Sequence, residues 1–428
     1  MQKPTNAKPG DRVEVHFTHL IYEGTLLQTS DDEKENVLLK LDNGYNIGFK
    51  KKDVDEIKLI RKFKEEEKNF EIKKDSAKPN IGMIITGGTI AAKFNAKKGG
   101  VDWLDTPESL FKFYPEIFEK VNVAKVEVPF MKASEDMDYK DWQKIARTAE
   151  KLLNDSNIKG IIITHGTDFL HYTSSALSFM LRNLNKPVVL TYSQRSIDRA
   201  SSDANLNLQC SALVSISDIA EVVLVGHANT DDEFCYAMQG TKVRKLHSSK
   251  RDAFKVVNDK PIAEIFPDKI NFLKNFKTRN KNKVKADTKF EEKIALIKIY
   301  PGQSPEILDY YLKNNFKGIV LEMSGLGHAP TMRARNGWTK KLKEVQEKGL
   351  IVVGVSQCIY GRVDPLVYSN GRELLKTGII YLEDILAETA FVKLGWVLGH
   401  EDWAKNKNLV KEKMLENISG EFNERLTE

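Results

Sequence analysis

The first candidate for chemistry is a pair of glycines set between two threonines, directly after an apolar run. It lies in IGMIITGGTIA, residues 81 to 91, where Thr86 and Thr89 flank Gly87 and Gly88. The apolar residues predict a buried strand, and the glycines predict a turn at its end. Because adjacent glycines let the backbone turn sharply and approach a ligand, we expect the threonine hydroxyls to face open space.

A second stretch has the same architecture. IIITHGTD, residues 161 to 168, is an apolar run followed by a glycine turn that ends in Thr167 and Asp168. Threonine is also a common helix cap, so one such turn indicates a cap as readily as a site. Two turns in one lobe favour a site, because the carboxyl ends of parallel strands share one edge of a sheet. We therefore expect Thr89 and Thr167 to converge on one crevice.

A threonine hydroxyl is a weak nucleophile until a base takes its proton. Lysine candidates for that base lie in and beside the hairpin-like stretch from Val243 to Ser249, namely Lys242, Lys245 and Lys250. Composition does not choose among them, since a solvated surface lysine is the ordinary outcome for each.

Length and composition predict a cytoplasmic globular protein of two or three domains. The chain has 428 residues, of which 41% are hydrophobic and 29% charged. No apolar run approaches the roughly 20 residues of a membrane span, and the N-terminal residues lack the apolar core of a signal peptide. A net charge of +6 is compatible with an RNA partner without requiring one.

The cysteines and histidines indicate neither disulfides nor a metal site. Cys210, Cys235 and Cys358 are far apart and form no CxxC motif, so we expect small buried side chains. The close histidine pair, His16 and His19, has no companion ligands at metal-binding spacing.

Strand and turn patterns divide the chain into five parts. Short alternating strands in residues 1 to 60 predict a small all-β barrel of five or six strands, and residues 61 to 80 form a charged linker. Residues 81 to 268 and 294 to 428 alternate apolar strands with helical patterns, which predicts two α/β lobes with parallel sheets. Between them, residues 269 to 293 form a basic connector.

The basic connector is the least regular part of this pattern. Its stretch from Lys269 to Lys285 carries seven Lys or Arg residues and no acid. We predict a loop or linker there, either a solvated connector or a basic face that contacts phosphates.

The two threonine motifs together resemble those of the type I L-asparaginase family. Within it, three further features resemble the D-type subunits of archaeal-type glutamyl-tRNA(Gln) amidotransferases: the segment from Ser193 to Ala204, the segment from Val243 to Phe254, and the N-terminal β module. The resemblance covers residues 9 to 428 and implies a two-lobed asparaginase-like fold.

The resemblance also implies roles for individual residues. Thr89 would be the first nucleophile on a side-chain amide, and Thr167, Asp168 and Lys245 would form a second catalytic group. The expected substrate-binding positions are Ser134, Glu135, which stands where asparaginases have a glutamine, and the backbone at Gly88 and Gly166.

Two positions depart from the family pattern. The family has a tyrosine on a loop shortly after TGGTIA, but residues 92 to 103 contain none. Phe169 stands where the family has a threonine after THGTD. We therefore expect glutaminase activity to be low until a partner orders the loop.

The activity implied is hydrolysis of glutamine, with the ammonia passing to a partner, the E-type subunit, that amidates Glu-tRNA(Gln). ATP and magnesium are expected in the partner, which would also provide most of the tRNA contacts. This chain is expected to need no metal or other cofactor, and to form a homodimer within a heterotetramer away from the membrane. The alternatives are a free-standing L-asparaginase and an inactive scaffold for a tRNA-binding partner.

Overall fold

The computed structural model describes residues 6–29, 35–42, 46–63, 75–95, 100–103, 117–196 and 201–426. Most of the predicted charged linker at 61 to 80, residues 96 to 99 of the loop after TGGTIA, and residues 197 to 200 lie outside these ranges.

The N-terminal region is an antiparallel five-stranded sheet. Its strands run in the order β4-β3-β2-β1-β5, and alternating side chains, among them Val13, Val15 and Leu39, form a small core of their own. The predicted all-β module is confirmed. Among the described residues, the edge strands β4 and β5 do not pair with each other, so the described sheet is open. The strands are β1 (Arg12–His16), β2 (Ile21–Leu27), β3 (Asn36–Lys40), β4 (Asn46–Lys50) and β5 (Glu56–Arg61).

An eight-stranded mixed sheet forms the first lobe, in the order β18-β17-β14-β13-β12-β10-β6-β9. Five neighbouring strands, β13, β12, β10, β6 and β9, are parallel to one another. The other three, β14, β17 and β18, each pair antiparallel with their neighbours. The strands are β6 (Asn80–Ile85), β9 (Asn122–Glu127), β10 (Ile161–Thr164), β12 (Val188–Thr191), β13 (Val222–His227), β14 (Cys235–Gln239), β17 (Ala263–Ile265) and β18 (Ile270–Phe272).

Helices cover both faces of this sheet because its central strands are apolar on both sides. Ile84 and Ile163 pack on the face of α2 and α3, whereas Met83 and Ile162 pack on the face of α4. Helix α2 begins with a capping box between Asp138 and Asp141. The helices are α1 (Ile117–Lys120), α2 (Tyr139–Leu153), α3 (Leu170–Met180) and α4 (Ala204–Ile216).

Three two-stranded sheets complete this part of the chain. The pairs are β7 (Ala92–Asn95) with β8 (Gly100–Trp103), β11 (Leu181–Arg182) with β19 (Lys285–Ala286), and β15 (Val243–Lys245) with β16 (Phe254–Val256). The last of these is the hairpin predicted around the candidate lysines.

A parallel four-stranded sheet in the order β20-β21-β22-β23 forms the second lobe. Helix α8 is buried along nearly its whole length and packs against α3, so it joins the lobes. The strands are β20 (Ile294–Lys298), β21 (Gly318–Met323), β22 (Ile351–Ser356) and β23 (Ile380–Tyr381). The helices are α5 (Ile307–Lys313), α6 (Thr339–Glu347), α7 (Ser369–Leu375), α8 (Ala387–Leu398), α9 (Glu401–Ala404) and α10 (Lys407–Leu415).

Two predictions need correction. The stretch from Lys269 to Lys285 is not only a loop, because β18 lies at the edge of the large sheet and Lys285 begins β19. Main-chain pairing does not require an apolar period, and it fixes this segment to the first lobe. Cys358 is exposed, whereas Cys210 and Cys235 are buried as predicted.

Among the described helices, none combines the length and apolarity that a membrane crossing requires.

Candidate active site

The two threonine turns follow neighbouring parallel strands, β6 and β10, and are joined to each other. Thr86 is fully buried; its amide and its Oγ1 both donate to the carbonyl oxygen of Thr164, at 3.2 and 2.8 Å. Thr86 therefore supports the turn. Thr89, half-buried, begins a short 3-10 turn, Thr89–Ala91, three residues later.

Only glycine fits at the centre of the first turn. Gly87 and Gly88 have positive φ angles of +114° and +83°. A Cβ atom on Gly87 would lie 2.4 Å from the carbonyl oxygen of Lys132, and one on Gly88 would lie 2.3 Å from the amide nitrogen of Gly166. The two turns are thus in backbone contact, and the residues that follow these glycines, Thr89 and Thr167, belong to adjoining turns of one sheet edge.

Lys245 is the lysine that reaches the second turn. Its Nζ lies 2.9 Å from Thr167 Oγ1 and 2.8 Å from Asp168 Oδ1. The Lys245 side chain is 10% exposed, whereas the Asp168 side chain is 59% exposed and open to a ligand. The amine is therefore placed to exchange a proton with the Thr167 hydroxyl, and Asp168 holds it there.

The other two lysines do not reach the site. Lys250 is exposed beyond the strand. Lys242 is fully buried, with its Nζ 2.6 Å from Asp384 Oδ2 in the second lobe. The main-chain and side-chain nitrogens of Asn423 both donate to Asp384 at 3.0 Å and complete this buried pair. The strand that carries Lys245 is therefore docked on the second lobe.

Ser134 connects a third loop to the second turn. It begins the 3-10 turn Ser134–Asp136 after β9, and its hydroxyl accepts the backbone N–H groups of Asp168 and Phe169 at 3.0 and 3.2 Å. The side chain is buried, so its structural contribution is to hold the backbone of Asp168. Glu135 is exposed, and its contact with the Ser134 hydroxyl is long, at 3.5 Å.

His165 is a site residue that the sequence analysis missed. Burial lowers its pKa to about 4, so the ring is neutral at pH 7. Its Nδ1 lies 2.7 Å from the carbonyl oxygen of Gly166, which can only accept, so Nδ1 carries the proton. Nε2 then accepts from the hydroxyl of Thr173 at 3.0 Å. The ring thus fixes the peptide that precedes Thr167; its sequence signal was a histidine between a buried strand and a glycine.

Asp203, buried at the start of α4, holds the loop after β12. Its carboxylate accepts hydrogen bonds from the Ser193 hydroxyl at 2.9 Å and from the backbone N–H groups of Gln194 and Arg195 at 2.9 and 3.1 Å. Burial raises the pKa of this carboxyl, and the three donors oppose that rise. In the sequence this segment stood out only for its resemblance, and Asp203 was given no role.

Among the described residues, no cluster of His, Cys, Asp and Glu could hold a metal ion.

Models of three known domain families together match nearly the whole chain. Residues 7–60 match the model for the GatD N-terminal domain, residues 80–278 match that for the N-terminal domain of asparaginase, and residues 293–409 match that for the glutaminase/asparaginase C-terminal domain. The asparaginase match extends past residue 268, as does the large sheet.

Individual relatives agree with these matches. The chain is 47% identical to the D-type subunit of glutamyl-tRNA(Gln) amidotransferase from Thermococcus kodakarensis, over 91% of this chain and 87% of the relative. It is 46% identical to the same subunit from Pyrococcus abyssi, over 98% and 96%. The solved thermostable L-asparaginase from Thermococcus kodakarensis superposes with a TM-score of 0.70 at 30% identity, covering 81% of this chain and all of that one. The resemblance inferred from the motifs is confirmed: the chain belongs to the family of D-type subunits of glutamyl-tRNA(Gln) amidotransferase, and its body has the asparaginase fold.

Proposed function

We propose that this chain is the subunit that releases ammonia from glutamine for a tRNA-dependent amidotransferase. The observation that carries the proposal is the position of the Lys245 amine, which lies within 2.9 Å of both Thr167 Oγ1 and Asp168 Oδ1. Thr167 and Asp168 are on the turn that is in backbone contact with the turn of Thr89. A lysine, a hydroxyl and an open carboxylate beside a second hydroxyl suit hydrolysis of an amide whose substrate carries charged ends.

In the proposed reaction, the Thr89 hydroxyl attacks the side-chain amide carbon of glutamine. The hydroxyl loses its proton, the C–N bond breaks, and the leaving nitrogen takes up a proton and departs as ammonia. A water molecule then attacks the resulting ester, which releases glutamate and restores the Thr89 hydroxyl. Two covalent steps replace one difficult hydrolysis.

Lys245 and Thr167 serve these proton transfers. The Thr167 hydroxyl delivers or takes a proton beside the reacting carbon, and Lys245, 2.9 Å away, replaces or accepts it. Asp168 has a second task, since its exposed carboxylate can accept the α-amino group of glutamine.

The remaining binding positions are supplied mainly by backbone. Ser134 keeps the Asp168 amide in place, and the peptides around Gly88 and Gly166 approach the substrate closely because neither glycine carries a side chain. Glu135 is exposed on the same loop and is free to meet the substrate directly.

The proposal includes partners. The ammonia passes to the E-type subunit, which uses ATP and magnesium and supplies most contacts with Glu-tRNA(Gln), and this chain itself binds no nucleotide. Two copies of this chain pair within a heterotetramer in the cytoplasm. The names of the relatives support a multi-subunit amidotransferase, and the net charge of +6 is compatible with a neighbouring tRNA.

The test is a Thr89→Ala variant, assayed in complex with the partner subunit for amidation of Glu-tRNA(Gln). We expect glutamine-dependent amidation to be abolished and amidation driven by added ammonia to continue. Thr339→Ala, in the second lobe, is the control and should retain both activities. Loss of both activities in Thr89→Ala would contradict the proposed division of labour.

A free-standing asparaginase is the second candidate, favoured by the likeness to a solved L-asparaginase. Ammonia release by the full-length chain from asparagine and from glutamine, with and without the partner and Glu-tRNA(Gln), separates the two. Fast, partner-independent turnover of asparagine would support the asparaginase. Absence of turnover under every condition would support an inactive scaffold.

A further inference from the structure

The hairpin that carries Lys245 has little support of its own. Strands β15 and β16 share only three residue pairs, and the five residues from Leu246 to Lys250 that follow the lysine are all exposed. A two-stranded ribbon of this size is marginal in isolation. Besides the docking of Lys242 on the second lobe, contacts from the first lobe must therefore fix the position of the Lys245 amine.

Arg251, at the far end of the exposed loop, makes such contacts in three directions. Its Nη1 lies 2.7 Å from Asp232 Oδ1, and its Nη2 donates to the carbonyl oxygen of Thr230. Its own carbonyl accepts from the hydroxyl of Tyr192 at 2.8 Å, and Tyr192 is fully buried directly after β12. The hairpin is thus tied to the loop between β13 and β14 and to the central sheet.

Behind Asp232 lies a buried histidine that extends the connection. Asn207 donates its side-chain N–H to the carbonyl oxygen of Tyr192 at 2.9 Å, so its Oδ1 faces His227 Nδ1, 2.7 Å away, as an acceptor. His227 Nε2 lies 3.0 Å from Asp232 Oδ1. His227 therefore has a hydrogen-bond partner at each ring nitrogen and connects Asn207, behind the sheet edge, to Asp232.

One carboxylate oxygen of Asp232, Oδ1, thus faces both the Arg251 guanidinium and the His227 ring. Burial alone would raise the pKa of this carboxyl, but the hydrogen bonds from His227 and Arg251 hold it below its ordinary value. The carboxylate therefore stays charged near neutral pH, and it can hold the arginine of the hairpin against the histidine of the sheet.

We propose that Asp232 and Arg251 are positioning residues for Lys245, with His227 as the buried residue that orients Asp232. This inference rests on the proposed function, in which Lys245 exchanges a proton with Thr167. None of the three is expected to touch the substrate. Their effect is to keep the Lys245 amine within hydrogen-bond reach of the Thr167 hydroxyl.

The first test is Asp232→Ala in the full-length chain with its partner subunit. Because the Asp232 side chain is 62% exposed, the fold should tolerate the change, which a thermal melt checks. Misplacement of a catalytic group costs roughly 10- to 100-fold in rate, so we expect kcat for glutamine hydrolysis to fall at least tenfold with KM nearly unchanged. The control is Asp309→Ala, which removes a comparable partner of Lys341 in the second lobe.

The second test asks whether Asp232 acts through Lys245. In a Lys245→Met background, Asp232→Ala should cause no further loss, whereas independent effects would multiply. The rate at which an amine-reactive, water-soluble acetylating reagent modifies Lys245, followed by mass spectrometry, gives a measurement that does not depend on turnover. It should proceed severalfold faster in Asp232→Ala than in the wild type or Asp309→Ala.

The outcomes separate the two proposals. If Asp232→Ala matches Asp309→Ala in kcat and in the acetylation of Lys245, the positioning role is overturned. If Lys245→Met leaves glutamine hydrolysis intact while acetylation is faster in Asp232→Ala, the structural link stands and the proposed role of Lys245 fails.

Discussion

The backbones of Gly88 and Gly166 touch: a Cβ atom on Gly88 would lie 2.3 Å from the Gly166 amide nitrogen. Gly88→Ala should therefore push the two turns apart and displace Thr89. It also places a side chain at a φ of +83°, and strain of this kind costs about 1–3 kcal/mol. We expect loss of glutamine hydrolysis and a lower Tm.

Gly349→Ala is the matched control for this variant. Gly349 also has a positive φ, +100°, but nothing lies within 4 Å of a Cβ atom built on it. The control should show a lower Tm and unchanged turnover. Full activity in Gly88→Ala would mean that contact between the turns does not matter for catalysis.

Lys245→Met should remove the proton exchange at Thr167 while keeping the length of the side chain. Removal of a general acid or base lowers rates by roughly 10²- to 10⁴-fold, and we expect a loss of kcat in this range. Stability should change little, because the partner carboxylate of Asp168 is 59% exposed. Lys250→Met, on the exposed loop, is the control; a similar loss there would argue against a specific role for Lys245.

Ser134→Ala should loosen the backbone of Asp168. The hydroxyl accepts two partly buried backbone N–H groups. Leaving a fully buried donor unpaired costs about 1–3 kcal/mol, so the cost here lies toward the lower end of that range. We expect a reduced free energy of unfolding and a higher KM for glutamine, measured by denaturant titration and steady-state kinetics. Ser304→Ala, which removes an exposed acceptor of one backbone N–H, should change neither quantity.

His165 predicts a specific loss of stability in acid. Burial lowers its pKa from 6.5 to about 4, so between these values the unfolded chain binds a proton that the folded chain does not. Stability from this group is complete above pH 6.5 and is lost as the pH falls toward 4. Because each pKa unit is worth about 1.4 kcal/mol, the loss is on the order of 3 kcal/mol.

His165→Asn removes this titration and leaves a side-chain donor for the Gly166 carbonyl. Its stability should fall less between pH 6.5 and 4 than that of the wild type, as measured by denaturant unfolding at several pH values. The exposed His247, replaced by Gln, should leave the wild-type slope unchanged. Equal slopes in the wild type and His165→Asn would contradict the assignment of a buried neutral ring.

The strands and turns around the site were predictable because their signals are local. Apolar runs ending in Gly87-Gly88 and in Gly166 define buried strands and sharp turns, and parallel neighbours place such turns at one edge. The open space expected beside the threonine hydroxyls does not exist at Thr86, because Thr86 ends a buried run and its hydroxyl is buried against the Thr164 carbonyl oxygen.

The partners of Lys245 could not be read from spacing. The contact with Thr167 spans 78 positions along the chain, and it depends on how the β15–β16 hairpin docks. Lys242 and Lys250 have the same side chain within a few residues, yet one is buried against Asp384 and the other is exposed. Only the motif resemblance pointed to Lys245.

The basic connector was misread for a different physical reason. Its lysines dominate the composition, but β18 and β19 are held by main-chain hydrogen bonds, which any non-proline residue can make. The alternation in Ile270-Asn271-Phe272 was the available signal for an edge strand.

The buried contact between Lys242 and Asp384 has a consequence during protein synthesis. The strand that ends at Lys245 leaves the ribosome some 140 residues before Asp384, and Asn423 emerges later still. Until then Lys242 lacks the carboxylate that is hydrogen-bonded to it, and burying a charge without a directly paired partner is strongly unfavourable. We therefore expect nascent chains to stay unable to hydrolyse glutamine until translation is nearly complete, so that incomplete chains would waste none of the cell's amide nitrogen.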